Sequence, residues 1–411
     1  MDVTAILLIT GLVFLWGVVS GRLEHADLTA PIVFVAVGGL CAAVGLLDAP
    51  TATTALKPLV EITLVWVLFS DAAGVRFSEV RHDTGRILRL LAIGLPLTVV
   101  AGWAQATWFF PALGPWLALL VAAALAPTDA ALGLPVVSNP AVPSRIRRLI
   151  TVESGQNDGI VTPVVMLALA GAATAEAVHD APSLVTALAE LGIGLVVGVG
   201  IGLAGGSLLR WARERGWAAE DFAGIAVLAL ALVAYTGALW VHGNGFVAAF
   251  CAGLAFGAVA GRRGPAELVF LEQASGLVSL LVWFAFGALV IPIMVQRVDP
   301  LVVLYAVSSL TLIRMVPVAI ACLGAGLDRP TVLFIGWFGP RGLASLVFAL
   351  LALEELGDPA GEAIAIIGFT VLLSVFAHGL TAGPLASRYG RLFTGRGERP
   401  DRGTQPDLTP D

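Results

Sequence analysis

Apolar residues dominate long stretches of this chain, and short polar connections separate them. A helix needs about 20 mainly apolar residues to cross a bilayer. Thirteen such spans can be marked, at roughly 3–20, 30–47, 55–75, 87–108, 113–136, 145–175, 184–209, 220–241, 244–260, 270–295, 300–324, 330–353 and 363–388. The sixth is long for one crossing, so part of it is expected to project into water or to bend. The pattern predicts an all-α polytopic membrane protein of about 13 helices over residues 1–390. After Phe393 the sequence turns polar and rich in Pro and Gly, and residues 391–411 read as a short disordered tail.

Composition agrees with the pattern. Of the 411 residues, 58% are hydrophobic and 13% charged. The mean hydropathy is +0.93. Soluble domains carry roughly 25% charged residues, so this chain lacks the polar surface that water would require. The first residues, MDVTAILL, contain an acid and no Arg or Lys, which favours a retained helix over a secretory leader. Cys41, Cys251 and Cys322 all fall in apolar runs without zinc or disulfide spacing, and are expected to be small core residues. There is no HExxH motif, Gly-rich phosphate loop or basic nucleic-acid patch. Neither a cofactor nor a nucleic-acid partner is expected.

The basic residues set an orientation. Nineteen of the 23 Arg and Lys residues lie in connections after odd-numbered spans or in the tail, and only Lys57 and Arg297 lie in even-numbered connections. Basic residues concentrate on the cytoplasmic side, so a plasma-membrane protein with its N-terminus outside and its C-terminus inside is predicted. One missed helix would scramble this split.

Arg314 and Arg341 fall inside spans, and several acids and other polar residues do so in the first half of the chain. Span 3 carries Glu61 and Asp71, span 5 carries Thr128 and Asp129, and span 6 carries Glu153, Ser154, Asn157 and Asp158. Charges inside a bilayer are costly and usually functional or paired. On span 6, Glu153 and Asn157 share one helical face, and Ser154 and Asp158 share the next. Oxygen-bearing side chains therefore form a broad stripe, suited to a hard cation. Glu153 is expected to pair with a buried Arg. Glu61 lies four residues after Lys57, where an i,i+4 pair at the interface accounts for it. Asp71 lies near the inner end of its span, with solvated and functional roles both open. His25, His82, His179 and His242 fall in connections or at span ends, and His378 lies in span 13.

Spans 5 and 12 are both interrupted. Pro127 precedes Thr128-Asp129, and Gly339-Pro340 precedes Arg341-Gly342. Proline removes a helical hydrogen bond and kinks the chain. Secondary transporters often consist of inverted repeats with broken helices at matching positions. If spans 1–6 and 8–13 are the repeats and span 7 the linker, the two breaks correspond. Asp129 and Arg341 would then supply the opposite charges that exposed helix ends need.

The segments PTDA, RIRRLITVESGQNDGIVTPVV and GPRGLASLVFAL resemble signatures of the monovalent cation:proton antiporters, in the sodium/proton exchanger branch. The likeness covers about residues 1–390. It implies two inverted six-helix repeats with crossed, unwound helices, a homodimer and alternating access. It implies exchange of Na⁺, or of Li⁺ or K⁺, for H⁺. Asp158 would be the cation- and proton-binding carboxylate, with Asn157 beside it, Ser154 and Thr128 as further oxygen ligands, and Asp129 and Asp71 as acids of the same region. Glu153 and Arg341 would form a structural ion pair between spans 6 and 12. Here Ala130 follows Asp129 where the family often has proline, so the break rests on Pro127. An intramembrane enzyme would need a nucleophile with a base or a paired DxxxD motif, and a channel would not need inverted helix breaks.

Overall fold

The computed structural model describes residues 3–24, 29–46, 49–75, 83–176, 183–261 and 264–394. The polar tail beyond Thr394 lies outside the described residues, as do His25, His82 and His179. Among the described residues the chain is helical throughout, and a helix occupies each of the thirteen spans. The first four are α1 (Val3–Glu24), α2 (Ala30–Ala43), α3 (Ala49–Ala73) and α4 (Thr84–Phe109). Then come α5 (Gly114–Leu125), α6 (Ser144–Ala175), α7 (Leu184–Glu214), α8 (Glu220–Trp240) and α9 (Gly245–Val259). α10 begins at Gly264 and runs through a π turn, Phe286–Val290, to Arg297. α11 (Pro300–Ala321) is interrupted at Thr311. The twelfth span is two half-helices, α12 (Arg329–Trp337) and α13 (Leu343–Leu356), and the last is α14 (Gly361–Thr394).

Local sequence explains where many helices start. Ser183, Asn244, Asp299 and Asp328 each accept a backbone N–H with the side chain, from Thr186, Val247, Val302 and Thr331 respectively. Such caps satisfy donors that the first turn leaves free. α6 is one helix of 32 residues. At 1.5 Å per residue it is longer than a bilayer core of about 30 Å. The excess was the expectation for that span.

Packing without a water-driven hydrophobic effect relies on close backbone approach. Gly194, Gly198, Gly202 and Gly206 form a stripe on α7 every fourth residue. A Cβ at the first three would run into the backbone of Asn244, Ala248 and Ala252, at the start and along the length of α9. Gly38 of α2 and Gly287 of α10 face each other's helices in the same way, against Phe284 and Val35.

The connections pair up as alternating crossings require. Asp83, after α3, bonds Arg145, after α5, at 2.7 Å, and Arg86 reaches Ala325, after α11, at 2.9 Å. At the opposite end Lys57, just before the third span's core, meets Glu354 of α13 at 2.7 Å. The expected Lys57–Glu61 pair is longer, at 4.0 Å. Lys57 therefore ties α3 to α13 more than it caps its own helix. Cys41 and Cys322 are buried and Cys251 is partly buried, all as free thiols.

Candidate functional site

The two interrupted spans meet. The Asp129 N–H donates to the Pro340 carbonyl at 2.7 Å. Two glycines make room for this contact. A Cβ at Gly339 would sit 2.7 Å from Arg314 Nε and 2.9 Å from Thr128 Cγ2. One at Gly342 would run into the Asp129 carboxylate.

Each break exposes helix ends of both signs. α5 stops at Leu125, and the next carbonyls, of Ala126 and Pro127, have no helical N–H to accept from. Arg341 Nη1 donates to both, at 2.7 and 2.9 Å. The carboxylate of Asp129 does the opposite. Its Oδ1 accepts from the Ala131 N–H at 2.8 Å, and its Oδ2 accepts from the Leu343 N–H, at the start of α13, at 3.0 Å. A cation thus sits at a carbonyl end and an anion at an amide end, the signs that the helix dipole favours.

The expected Glu153–Arg341 pair is not the one that forms. Glu153 pairs with Arg314, through Nη1···Oε1 at 2.7 Å and Nη2···Oε2 at 2.8 Å. Both side chains are 1% exposed. The physical reason is reach. Arg341 Nη1 is held by the carbonyls of the α5 end, and its Nε and Nη2 find no hydrogen-bond partner. Arg314 leaves α11 just past its interruption at Thr311 and lies beneath Gly339, facing α6. The ion pair ties span 6 to span 11, not to span 12.

Above this pair the expected oxygen stripe forms a cluster. Thr128 Oγ1 and Ser154 Oγ are 2.8 Å apart, and Asn157 Nδ2 donates to Thr128 Oγ1 at 2.7 Å. That bond fixes the Asn157 amide with its Oδ1 turned elsewhere. Asn157 Oδ1 and Asp158 Oδ1 are buried and lack a hydrogen-bond partner. Buried polar atoms are normally paired, so two free oxygens on neighbouring residues need an explanation. Gly159 completes the motif for a steric reason, because a Cβ there would strike the Phe250 ring on α9.

Thr128, Ser154 and Asn157 are therefore in direct contact, with Asp158 next along α6. Asp71 lies on α3 against Gly155, and its carbonyl accepts from Gln156 Nε2 at 3.1 Å. Asp71 and Asp129 are the acids within electrostatic reach of Asp158. No group of three His, Cys, Asp or Glu side chains suited to a bound metal occurs among the described residues. The oxygens here are one carboxylate, one amide and two hydroxyls.

Ser374 and His378 of α14 were not expected at the crossing. Arg341 N donates to Ser374 Oγ at 2.7 Å, and His378 lies one turn further on. Their signal was the spacing Ser374, His378, Thr381, which places three polar residues on one face of an apolar helix.

The family model for the transmembrane part of sodium/hydrogen exchangers matches residues 5–388. The chain belongs to the sodium/hydrogen exchanger family. It is 26% identical over 321 residues to a probable Na(+)/H(+) antiporter of Schizosaccharomyces pombe, a match that covers 73% of this chain and 41% of that protein. It is 24% identical over 326 residues to the K(+)/H(+) antiporter NhaP2 of Shewanella sp. (strain MR-4), covering 77% of this chain and 55% of that protein. The chain thus spans about half the length of the curated relatives it matches. The structure of the sodium proton antiporter MjNhaP1 from Methanocaldococcus jannaschii has the same fold, with a TM-score of 0.76 and 19% identity, over 94% of this chain and 99% of that one. The chain is a multi-pass membrane protein with the crossed-helix antiporter architecture.

Proposed function

We propose that this chain is a secondary transporter, not an enzyme, that exchanges a monovalent cation for H⁺ by alternating access, with Asp158 as the group for which both ions compete. The observation that carries this reading is the pair of partnerless oxygens, Asp158 Oδ1 and Asn157 Oδ1, buried beside the Thr128 and Ser154 hydroxyls. A hard cation takes oxygen ligands, and a proton can neutralise the same carboxylate. A bare carboxylate crossing a hydrophobic barrier is costly. Requiring one ion or the other at each crossing couples the two fluxes.

Sodium is the cation we favour. Potassium is the second reading, supported by the relatives named as K(+)/H(+) antiporters. Asn157 beside Asp158, where a second acid could have stood, supports one-for-one, electroneutral exchange. Asp71 is the acid that would carry a further proton if exchange proved electrogenic. Glu153 and Arg314 are structural in this scheme, and Asp129 and Arg341 balance helix ends. Pairing as a homodimer, the division into a 1–390 transport domain and a tail, and a plasma-membrane placement with the C-terminus inside complete the proposal. The Arg and Lys split supports the last.

The test is purified protein in liposomes carrying a pH dye, with an imposed proton gradient and added Na⁺, Li⁺ or K⁺. Cation-dependent dequenching by one or more of them is expected, unaffected by an imposed membrane potential. Dissipation of the gradient without added cation would mean a leak or channel instead.

A further inference from the structure

Five residues separate α12 from α13, and the far side of that break is held by one face of α14. His378 Nε2 lies 2.8 Å from the carbonyl oxygen of Trp337, the last residue of α12. Its Nδ1 lies 3.1 Å from Ser374 Oγ and 2.9 Å from the Ser374 carbonyl. Ser374 Oγ accepts the Arg341 N–H at 2.7 Å. Trp337 Nε1 adds a bond to Thr381 Oγ1 at 3.0 Å, and its ring lies against the imidazole at 5.1 Å. All of these groups are buried or partly buried.

Two of these donors are fixed by their partners. The Arg341 N–H donates to Ser374 Oγ, and the Trp337 carbonyl can only accept, so His378 Nε2 carries the proton of that bond. His378 Nδ1 faces both the Ser374 hydroxyl and the Ser374 carbonyl. Through Ser374 Oγ and His378 Nε2–H, one face of α14 holds the chain on both sides of the break.

We infer that His378, through its Nε2–H, and Ser374 form a positioning pair that clamps the break between α12 and α13 and through it sets the cation site. The route is short. The clamp fixes the Arg341 backbone, and the Arg341 guanidinium holds the Ala126 and Pro127 carbonyls. The next residue is Thr128, whose hydroxyl bonds both Ser154 and Asn157. This inference rests on the proposed cation site. It assigns His378 a positional task and no part in carrying the proton.

Two measurements test it. In exchange assays, His378→Leu removes the bond to the Trp337 carbonyl and Ser374→Ala removes the bond from the Arg341 N–H. Each is expected to raise the cation KM about tenfold, the effect of one or two lost buried hydrogen bonds, with the half-maximal pH values of the profile unmoved when the cation is held at the same multiple of each protein's KM. His378→Gln, which can both donate and accept, should restore KM to within about twofold. Should His378→Leu fail to fold, Ser374→Ala and His378→Gln carry the comparison. A moved acid limb in His378→Gln would overturn the inference by making the imidazole a titrating group, and so would an unchanged KM in Ser374→Ala. The second measurement needs no transport. With His25, His82, His179 and His242 replaced, the ¹⁵N shifts of labelled His378 should report a proton held on Nε2 from about pH 5 to 8, the range in which an ordinary histidine titrates. A deprotonated Nε2 in that range would overturn it. If the wild type exchanges no cation, the transport reading fails and the ¹⁵N shifts still decide whether Nε2 is protonated.

Discussion

The identity of the partner of Glu153 is open to a direct energetic test. Glu153 and Arg314 meet through two charge-assisted contacts of 2.7 and 2.8 Å, with both side chains 1% exposed. Leucine at either position alone leaves the other charge buried without its partner, which costs about 3–5 kcal/mol. Leucine at both positions leaves no charge behind, and replacing a buried pair with apolar groups is often close to neutral. With each single change costing about 3–5 kcal/mol and the double change close to neutral, the double-mutant cycle should show a coupling energy of about 6–10 kcal/mol. The control is the same cycle with Glu153 and Arg341. Arg341 donates to Ala126 and Pro127, so its coupling to Glu153 should stay below about 1 kcal/mol. Thermal unfolding of detergent-purified protein, in buffer free of transported cations, reads both cycles without ligand stabilisation. Additive losses for Glu153 and Arg314, or the larger coupling with Arg341, would refute the pairing. So would a Glu153→Leu protein of normal stability.

Gly342→Ala should lower stability by about 1–3 kcal/mol, since the new methyl must displace the Asp129 carboxylate from the start of α13; melting curves check it, and an unaffected Tm would mean that the crossing is looser than the contact implies. Asp129→Asn should cost about 1–2 kcal/mol through weakened caps on two amide ends, while cation-induced stabilisation is retained; loss of that stabilisation with a normal Tm would make Asp129 a ligand. Activity against pH should be bell-shaped. Below the optimum protons displace the cation from Asp158, so added cation should move the acid limb to lower pH. Above it protons become scarce. An acid limb that ignores cation concentration would argue against competition at one group.

The thirteen helical spans were legible because the hydrocarbon demands long apolar runs whatever the tertiary structure. The two breaks were legible because Pro127 and Gly339-Pro340 are incompatible with an unbroken helix, and the end charges at Asp129 and Arg341 followed from the dipole signs. The partner of Glu153 was not. Two buried arginines were available, and the choice depends on an interruption at Thr311 that no Gly or Pro announces. The π turns at Leu90–Gly94 and Phe286–Val290 did leave a signal, since each runs into a proline, Pro96 and Pro292, whose missing N–H opens the helical ladder there. The face of α14 that grips the crossing was visible as a spacing, but its target lies 33 residues away from Ser374 in sequence, and only the packing of α14 against the break supplies it.

Asp158→Asn tests the central claim most directly. The substitution keeps the shape and hydrogen-bonding capacity of the side chain and removes the charge that cation and proton share. Cation-induced thermal stabilisation and dye-monitored exchange are measured on the same preparation, beside wild type. A folded protein that has lost both is expected. Substantial sodium- or potassium-driven proton exchange by Asp158→Asn would contradict the claim that this carboxylate couples the two ions.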